Sequence, residues 1–333
     1  MTALVVVEGR RFRYRTAVRW LAGLALLAAL AVVGGAWSAT RPPSAEALEQ
    51  ARQQYEWAVD DWEQNGEQYL ADCRAGEATE RESDPDADWG CDAMAPAPEN
   101  YDPYRAVFAG SIAGWVSAVA QFLLLLAFAA GVTSVTAELA TGSMAMWLTY
   151  VPRRGRVFAS KVVVPALGVL LPAALAVGAA VGGAYGVAAL NGALGPVTGE
   201  LWADLGWQAL RVLAATGVAA AAGAGLGFLL RATAAAIGAA VGWVILVDTL
   251  LMRGLVQALT PWSLSLNLTA WLQGGATYYV PVPCADLPGQ EGEIGWCGTD
   301  RVLSAAHGGV LLVAVAAVLV LAGWLAFRRR DLD

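Results

Sequence analysis

The chain has 333 residues, is 57% hydrophobic and has a mean hydropathy of +0.52. That is too apolar for a soluble domain of this size, and several apolar runs exceed the roughly 20 residues that cross a hydrocarbon layer, so the class is a multi-spanning helical membrane protein. The net charge of -7 misleads as an average, because acids and bases are segregated along the chain.

Residues 1–16 form a strongly basic segment in which Phe12 and Tyr14 are interleaved with arginines. Such a segment suits a membrane surface carrying anionic lipid. The first span is expected at 17–39. Its Arg-rich start and Ala36-Trp37-Ser38 also resemble a signal peptide, but the apolar stretch is long for one, so the segment is read as a retained span. Residues 40–104 change composition. Pro42-Pro43-Ser44 is a helix start, and Leu48, Ala51, Tyr55, Ala58 and Trp62 recur at helical spacing. Gly66 is expected to end that helix, with loop beyond it. The segment is acidic and repels anions. It lacks the Asp-x-Asp-x-Asp-Gly spacing of a calcium loop, so it is read as a solvated acidic cap.

The second span is expected at 105–135, and a short polar stretch at 136–156 separates it from the third, at 157–190. Thr136 is expected to cap a short helix with Glu138 in its first turn, where negative charge suits the helix dipole. Met144, Trp147 and Leu148 fall on one face, and Tyr150-Val151-Pro152 stops the helix. From these residues alone, a loop that merely fixes topology by its charges reads equally well. Pro165 and Pro172 kink the third span or mark its ends. A turn at 191–204, a fourth span at 205–230, a tight turn at Arg231, a fifth span at 234–259, a polar region at 260–304 and a sixth span at 305–327 complete the order. The first part of 260–304 is amphipathic enough to lie in the interface or re-enter the membrane. Residues 328–333 form a basic tail.

With six spans, the N-terminus, 136–161, Arg231 and the C-terminus share a side that carries about thirteen of the 21 basic residues, which makes it cytoplasmic. All four cysteines then fall outside: Cys73 and Cys91 in the first outer loop, Cys284 and Cys297 in the last. An oxidising compartment favours disulfides, and pairing within each loop is the simplest of three connectivities. A zinc site is the rival, but no C-x-x-C occurs. Small residues at four-residue spacing (Gly178, Gly182, Gly186; Gly223, Gly227; Gly238, Gly242) let helices approach closely, within the chain or with a second copy. Arg211 and Asp248 stand at matching depth in antiparallel spans, and a structural ion pair is expected, with a place in a substrate path as the alternative. No phosphate-binding G-x-x-x-x-G-K-[ST], no G-x-S-x-G and no H-E-x-x-H occurs, so nucleotide hydrolysis and the common hydrolase chemistries find no motif here.

The order Glu138-x-x-x-Gly142-Ser143, then Pro152-Arg153-Arg154, then Lys161 opening a span, resembles the permease subunits of ATP-binding-cassette transporters of the type-2 export class. The six spans, the basic segment with Glu8 before the first, and the terminal Phe327-Arg328-Arg329-Arg330-Asp331-Leu332 are similar to that family too. The resemblance implies an all-α polytopic membrane protein with cytoplasmic termini and a small extracytoplasmic helical loop domain. It implies a multi-pass location in a bacterial cytoplasmic membrane and no cofactor in this chain. A separate ATPase subunit would bind ATP and Mg, and a second permease copy, identical or different, would complete a dimer. Glu138, Gly142, Ser143, Trp147, Arg153 and Arg154 would form the coupling element that docks on the ATPase, with the basic N-terminal helix along the inner leaflet beside it. Ser143 stands where many relatives have threonine, and the cysteine-bearing outer loop is not a general family feature. Membrane lipid is an expected partner and nucleic acid is not. The alternative from another class is a membrane sensor or immunity protein whose acidic outer domain binds a ligand. An intramembrane hydrolase is disfavoured for want of polar groups.

Overall fold

The computed structural model describes residues 2–82, 85–150, 152–284 and 295–329. Helices α1 (Thr2–Tyr14), α2 (Thr16–Thr40) and α3 (Ala45–Glu80) come first. They are followed by α4 (Phe108–Ala140), α5 (Ser143–Tyr150), α6 (Arg154–Gly168), α7 (Leu170–Leu190) and α8 (Gly199–Leu230). Next come α9 (Thr233–Gly242), α10 (Leu264–Gln273), strands β1 (Gly275–Pro283) and β2 (Trp296–Ser304), and α11 (Ala305–Arg329). The described residues contain six helical segments long and apolar enough to cross a membrane: Thr16–Thr40, Phe108–Ala140, Arg154–Leu190, Gly199–Leu230, Thr233–Leu255 and Ala305–Arg329. The chain is therefore an all-α polytopic membrane protein in its spanning part. Among the described residues it departs from that class in the paired strands β1 and β2, which fall in the second part of the polar region expected at 260–304; the first part, read as interfacial or re-entrant, holds α10. The chain divides into two compact units.

The first unit comprises Met1–Ser38, Val107–Tyr278 and Arg301–Asp333. Helix α8 is its axis, packing against α4, α6, α7, α10 and α11. Glycine makes this possible. A Cβ on Gly131 would lie 2.0 Å from the Ala220 carbonyl oxygen, and one on Gly223 would lie 2.2 Å from that of Phe128, so α4 and α8 meet backbone to backbone. Gly323 lies as close to Gly225, which joins α11 to the other face of α8. Of the small-residue faces seen in the sequence, only Gly223 and Gly227 take a neighbour in this chain. A Cβ on Gly178, Gly182, Gly186, Gly238 or Gly242 would meet open space. On α7 it is Gly183 that receives a partner, Val33 of α2.

The third span is broken at Val169. Pro172 has no N–H for the Gly168 carbonyl and its ring crowds that carbonyl, so α6 ends and α7 begins there. The break seats α1: Phe12 is buried against Gly168, where a Cβ would come within 2.7 Å of its ring. The fifth span is α9 continued as a π-helix over Trp243–Leu255, closed by the Val256 N–H donating to the Leu251 carbonyl at 2.8 Å. π-helical segments are rare and frequently lie at functional sites. Asp248 lies within this one and is fully buried.

The second unit comprises Ala39–Ala106 and Tyr279–Asp300. Ser44 caps α3 by accepting from the Ala47 N–H at 3.1 Å, as Pro42-Pro43-Ser44 predicted. The helix does not end at Gly66. It continues to Glu80, because the Trp62 ring folds onto the bare Gly66 position and replaces the missing side chain. Trp89 covers Gly76 in the same way and donates through its ring nitrogen to Glu80. Tyr69 donates to Asp61 at 3.1 Å, and this hydrogen bond together with the carboxylate charge holds the phenol above its ordinary pKa. Disulfides Cys73–Cys91 and Cys284–Cys297 form within each of the two cysteine-bearing stretches, the simplest of the three connectivities. Arg105 donates to the Thr40 carbonyl at 2.9 Å and the Ala106 N–H to that of Ala39 at 3.0 Å, so entry and exit of the first stretch are pinned together.

Candidate functional site

Four charged side chains meet inside the first unit. Lys161 of α6 lies 2.6 Å from Glu8 Oε2 of α1 and 2.6 Å from Glu138 Oε2 of α4. Arg15, at the α1–α2 junction, donates to the other Glu138 oxygen and, at 3.2 Å, to the Thr133 carbonyl. Glu8, Glu138 and Lys161 are all at least 94% buried. The two carboxylates are balanced by the two cations, with the half-exposed Arg11 guanidinium 4.0 Å from Glu8 Oε1 at the rim, which is how charge survives burial. The ammonium bonds Glu8 directionally, whereas it faces Glu138 Oε2 off the hydrogen-bonding direction and acts there as an ion-pair partner.

Glu138 does not open a short helix. Helix α4 runs on to Ala140, so Glu138 lies in its last turn and Thr136 is interior, bonded to the Val132 carbonyl at 3.0 Å and to the Thr233 hydroxyl at 2.6 Å. A carboxylate at a helix C-terminus opposes the dipole. Arg15 and Lys161 supply the positive charge that reverses that penalty, which is why the residue needs both. The helix breaks at Thr141 and at Gly142, whose φ of 68° is left-handed, and α5 starts on the other side. Ser143 donates to the Glu138 carbonyl at 3.4 Å and spans the break.

Helix α5 is seated by Met144, which is buried among Val135, Val157, Phe158, Phe228 and Phe327. The aromatic rings stack in sequence, with Phe158 4.7 Å from Phe228 and Phe228 4.9 Å from Phe327. This core takes residues from α4, α5, α6, α8 and α11, so α5 cannot shift without disturbing four spans. On its flank, the Arg11 guanidinium lies 4.6 Å over the Trp147 ring, which ties α5 to α1. Arg154 donates to the carbonyls of Phe327 and Arg328, at 3.3 and 3.2 Å, and caps the end of α11. The outward face of α5 is bare: Met146 is 65% and Tyr150 81% exposed.

Of the residues singled out in the sequence, Glu138, Gly142, Ser143, Trp147 and Arg154 are gathered here, and Arg153 stays exposed at the start of α6. The tail residues 330–333, part of the terminal likeness, and Val151 lie outside the described residues. The contact between Glu8 and Lys161, and the places of Arg15 and Phe12 beside it, do not follow from the sequence order. The signal was present: Lys161 is the sole lysine in a chain whose other bases are arginines, and it sits at a span entry.

The expected Arg211–Asp248 pair does not form. Asp248 instead accepts from the Ser263 hydroxyl at 3.2 Å and from the N–H groups of Leu264 and Ser265, which are the first turn of α10. The Arg211 guanidinium lies at the other end of that helix, 3.0 Å from where a Gly274 Cβ would be, and the Trp271 ring N–H donates to the Arg211 carbonyl at 2.8 Å. An anion sits at the N-terminus and a cation at the C-terminus of one helix, each matched to the dipole. Ten helical residues span about 15 Å, so the two charges are held apart by the element they both hold.

The chain matches no protein-family model and no curated protein.

Proposed function

We propose that this chain is the permease subunit of an ATP-driven exporter of the ATP-binding-cassette, type-2 class. In this reading it works as a dimer in a bacterial cytoplasmic membrane, and two separate ATPase subunits bind ATP and Mg. The observation that carries the reading is α5. It is a two-turn helix set between two spans, fixed on its inner face to a core shared by four others, and bare on its outer face at Met146 and Tyr150. A segment built that way passes a push at its outer face to the spans. The charge cluster gives the same segment a rigid footing, since α1, α4 and α6 are locked to one another at its base. ATP binding would close the ATPases, and α5 would carry that closure to α4, α6, α8 and α11.

Purification of the tagged full chain from its native membrane in mild detergent tests the reading. The expected result is co-purification of a protein carrying a G-x-x-x-x-G-K-[ST] motif, whose ATPase activity responds to this chain. Recovery of the chain with no such ATPase, and with a soluble ligand held by the acidic outer unit instead, would favour a sensor and overturn the reading.

A further inference from the structure

The fifth span is nearly bare along its length. Of its 23 residues only Ala236 and Asp248 are buried. Ala236 packs with Val132 of α4 and Leu226 of α8, close to the start of the span. Asp248 accepts from Ser263, Leu264 and Ser265 at the first turn of α10. Among the described residues, side chains of the span hydrogen-bond to other elements only at Thr233, Asp248 and Arg253, the last donating to the Ser265 hydroxyl at 3.4 Å. The span is therefore pinned near its two ends and free between them.

The first pin is a pair of hydroxyls. Thr233 opens α9, and its hydroxyl lies 2.6 Å from that of Thr136 on α4. Thr136 gives its one proton to the Val132 carbonyl at 3.0 Å, so Thr233 is the donor between the two. Thr136 is 2% exposed, and a Cβ on Gly227 of α8 would lie 3.4 Å from its methyl, which holds this stiff β-branched side chain in place. Glu138 follows two positions later, and residues so spaced point about 200° apart on a helix. One short stretch of α4 thus carries the charged footing of α5 on one face and the anchor of the fifth span on another. We propose that Thr136 and Thr233 are the positioning pair through which the end of α4 carries the fifth span. A span with so few lateral contacts follows its anchors: a shift of α4 at Thr136 moves α9, and Asp248 passes that shift to α10. What drives α4 rests on the proposed docking of an ATPase at α5. The linkage from α4 to the fifth span does not.

The test uses the full chain in phosphatidylcholine nanodiscs, without an ATPase. Spin labels are attached at Leu210→Cys on α8 and Leu246→Cys on the fifth span, 57% and 62% exposed in the unaltered chain, and the native cysteines are all in disulfides. Double electron–electron resonance reads the distance between them. Glu138→Gln removes the charge that Arg15 and Lys161 hold and so disturbs the end of α4. It should shift the distance distribution. In a Thr233→Val chain, which keeps the side-chain shape but lacks the donor, Glu138→Gln should produce no shift. In a Thr233→Ser chain, which keeps the donor, the shift should return. A shift undiminished by Thr233→Val overturns the proposal, and so does a fifth span that ignores the disturbance in the chain with Thr233 intact. Should Glu138→Gln fail to fold, Gly142→Ala replaces it, because a Cβ strains the left-handed break at the end of α4. No nucleotide enters the measurement, so its failure counts against the linkage alone and the docking of an ATPase stands or falls separately.

Discussion

Lys161 Nζ lies 2.6 Å from Glu8 Oε2, 153 positions away in sequence. The contact closes the N-terminal helix onto the third span and leaves Lys161 2% exposed between two carboxylates. Removing one member of such a cluster strands a charge in low dielectric. Lys161→Met should therefore destabilise the fold by about 3–5 kcal/mol, measured by thermal unfolding in detergent. Glu8→Gln with Lys161→Met should cost less than the sum of the two single changes. Simple additivity would mean that the two groups do not interact.

The two disulfides make a second prediction. The four cysteines should resist maleimide until reduced, and mass spectrometry should find Cys73–Cys91 and Cys284–Cys297. Opening Cys73–Cys91, whose partners are 18 positions apart, should cost the second unit about 3 kcal/mol on the chain-entropy model. Free thiols in protein matured through its own membrane would contradict the pairing.

Asp248 and Arg211 hold opposite ends of α10, so their losses should add. Asp248→Ala removes the acceptor for the Ser263 hydroxyl and two backbone N–H groups, at a cost of about 1–3 kcal/mol. Arg211→Leu should cost less, because that guanidinium meets α10 through the dipole alone. The double variant should equal the sum to within about 0.5 kcal/mol. A strong recovery in the double variant would restore the direct ion pair.

Glycines at backbone contacts should be intolerant, and glycines facing open space should not be. Gly323→Leu would drive a side chain into the Gly225 carbonyl, where even a Cβ would lie 2.4 Å away, and should cost about 1–3 kcal/mol or more. Gly182→Leu, with nothing near its Cβ, should leave the melting temperature of the monomer within a few degrees. Equal damage at both positions would contradict the α8–α11 packing.

The spans were legible because a hydrocarbon layer imposes a length and a polarity on every crossing helix. The cysteine pairs were legible because compartment and proximity in sequence restrict them. What stayed hidden depends on partners that carry no local mark. Glu138 looks like a residue of a helix start until α4 is seen to run through it, and its cations come from Arg15 and Lys161 on other elements. Asp248 was matched to an arginine because charge was the visible clue, yet its partners are mostly backbone N–H groups, which every sequence has. Gly66 signalled an end to α3, but a tryptophan four residues earlier fills its place. The seat of Phe12 against Gly168 required knowing where the third span breaks.

In the proposed reading a separate ATPase docks on the exposed face of α5. A photoreactive amino acid placed at Tyr150, 81% exposed, should cross-link in native membranes to a protein carrying the phosphate-binding motif. The same probe at Met144, 1% exposed in the core below, should give no such adduct. Absence of an ATPase adduct from Tyr150, in a chain that is inserted and folded, would contradict the account.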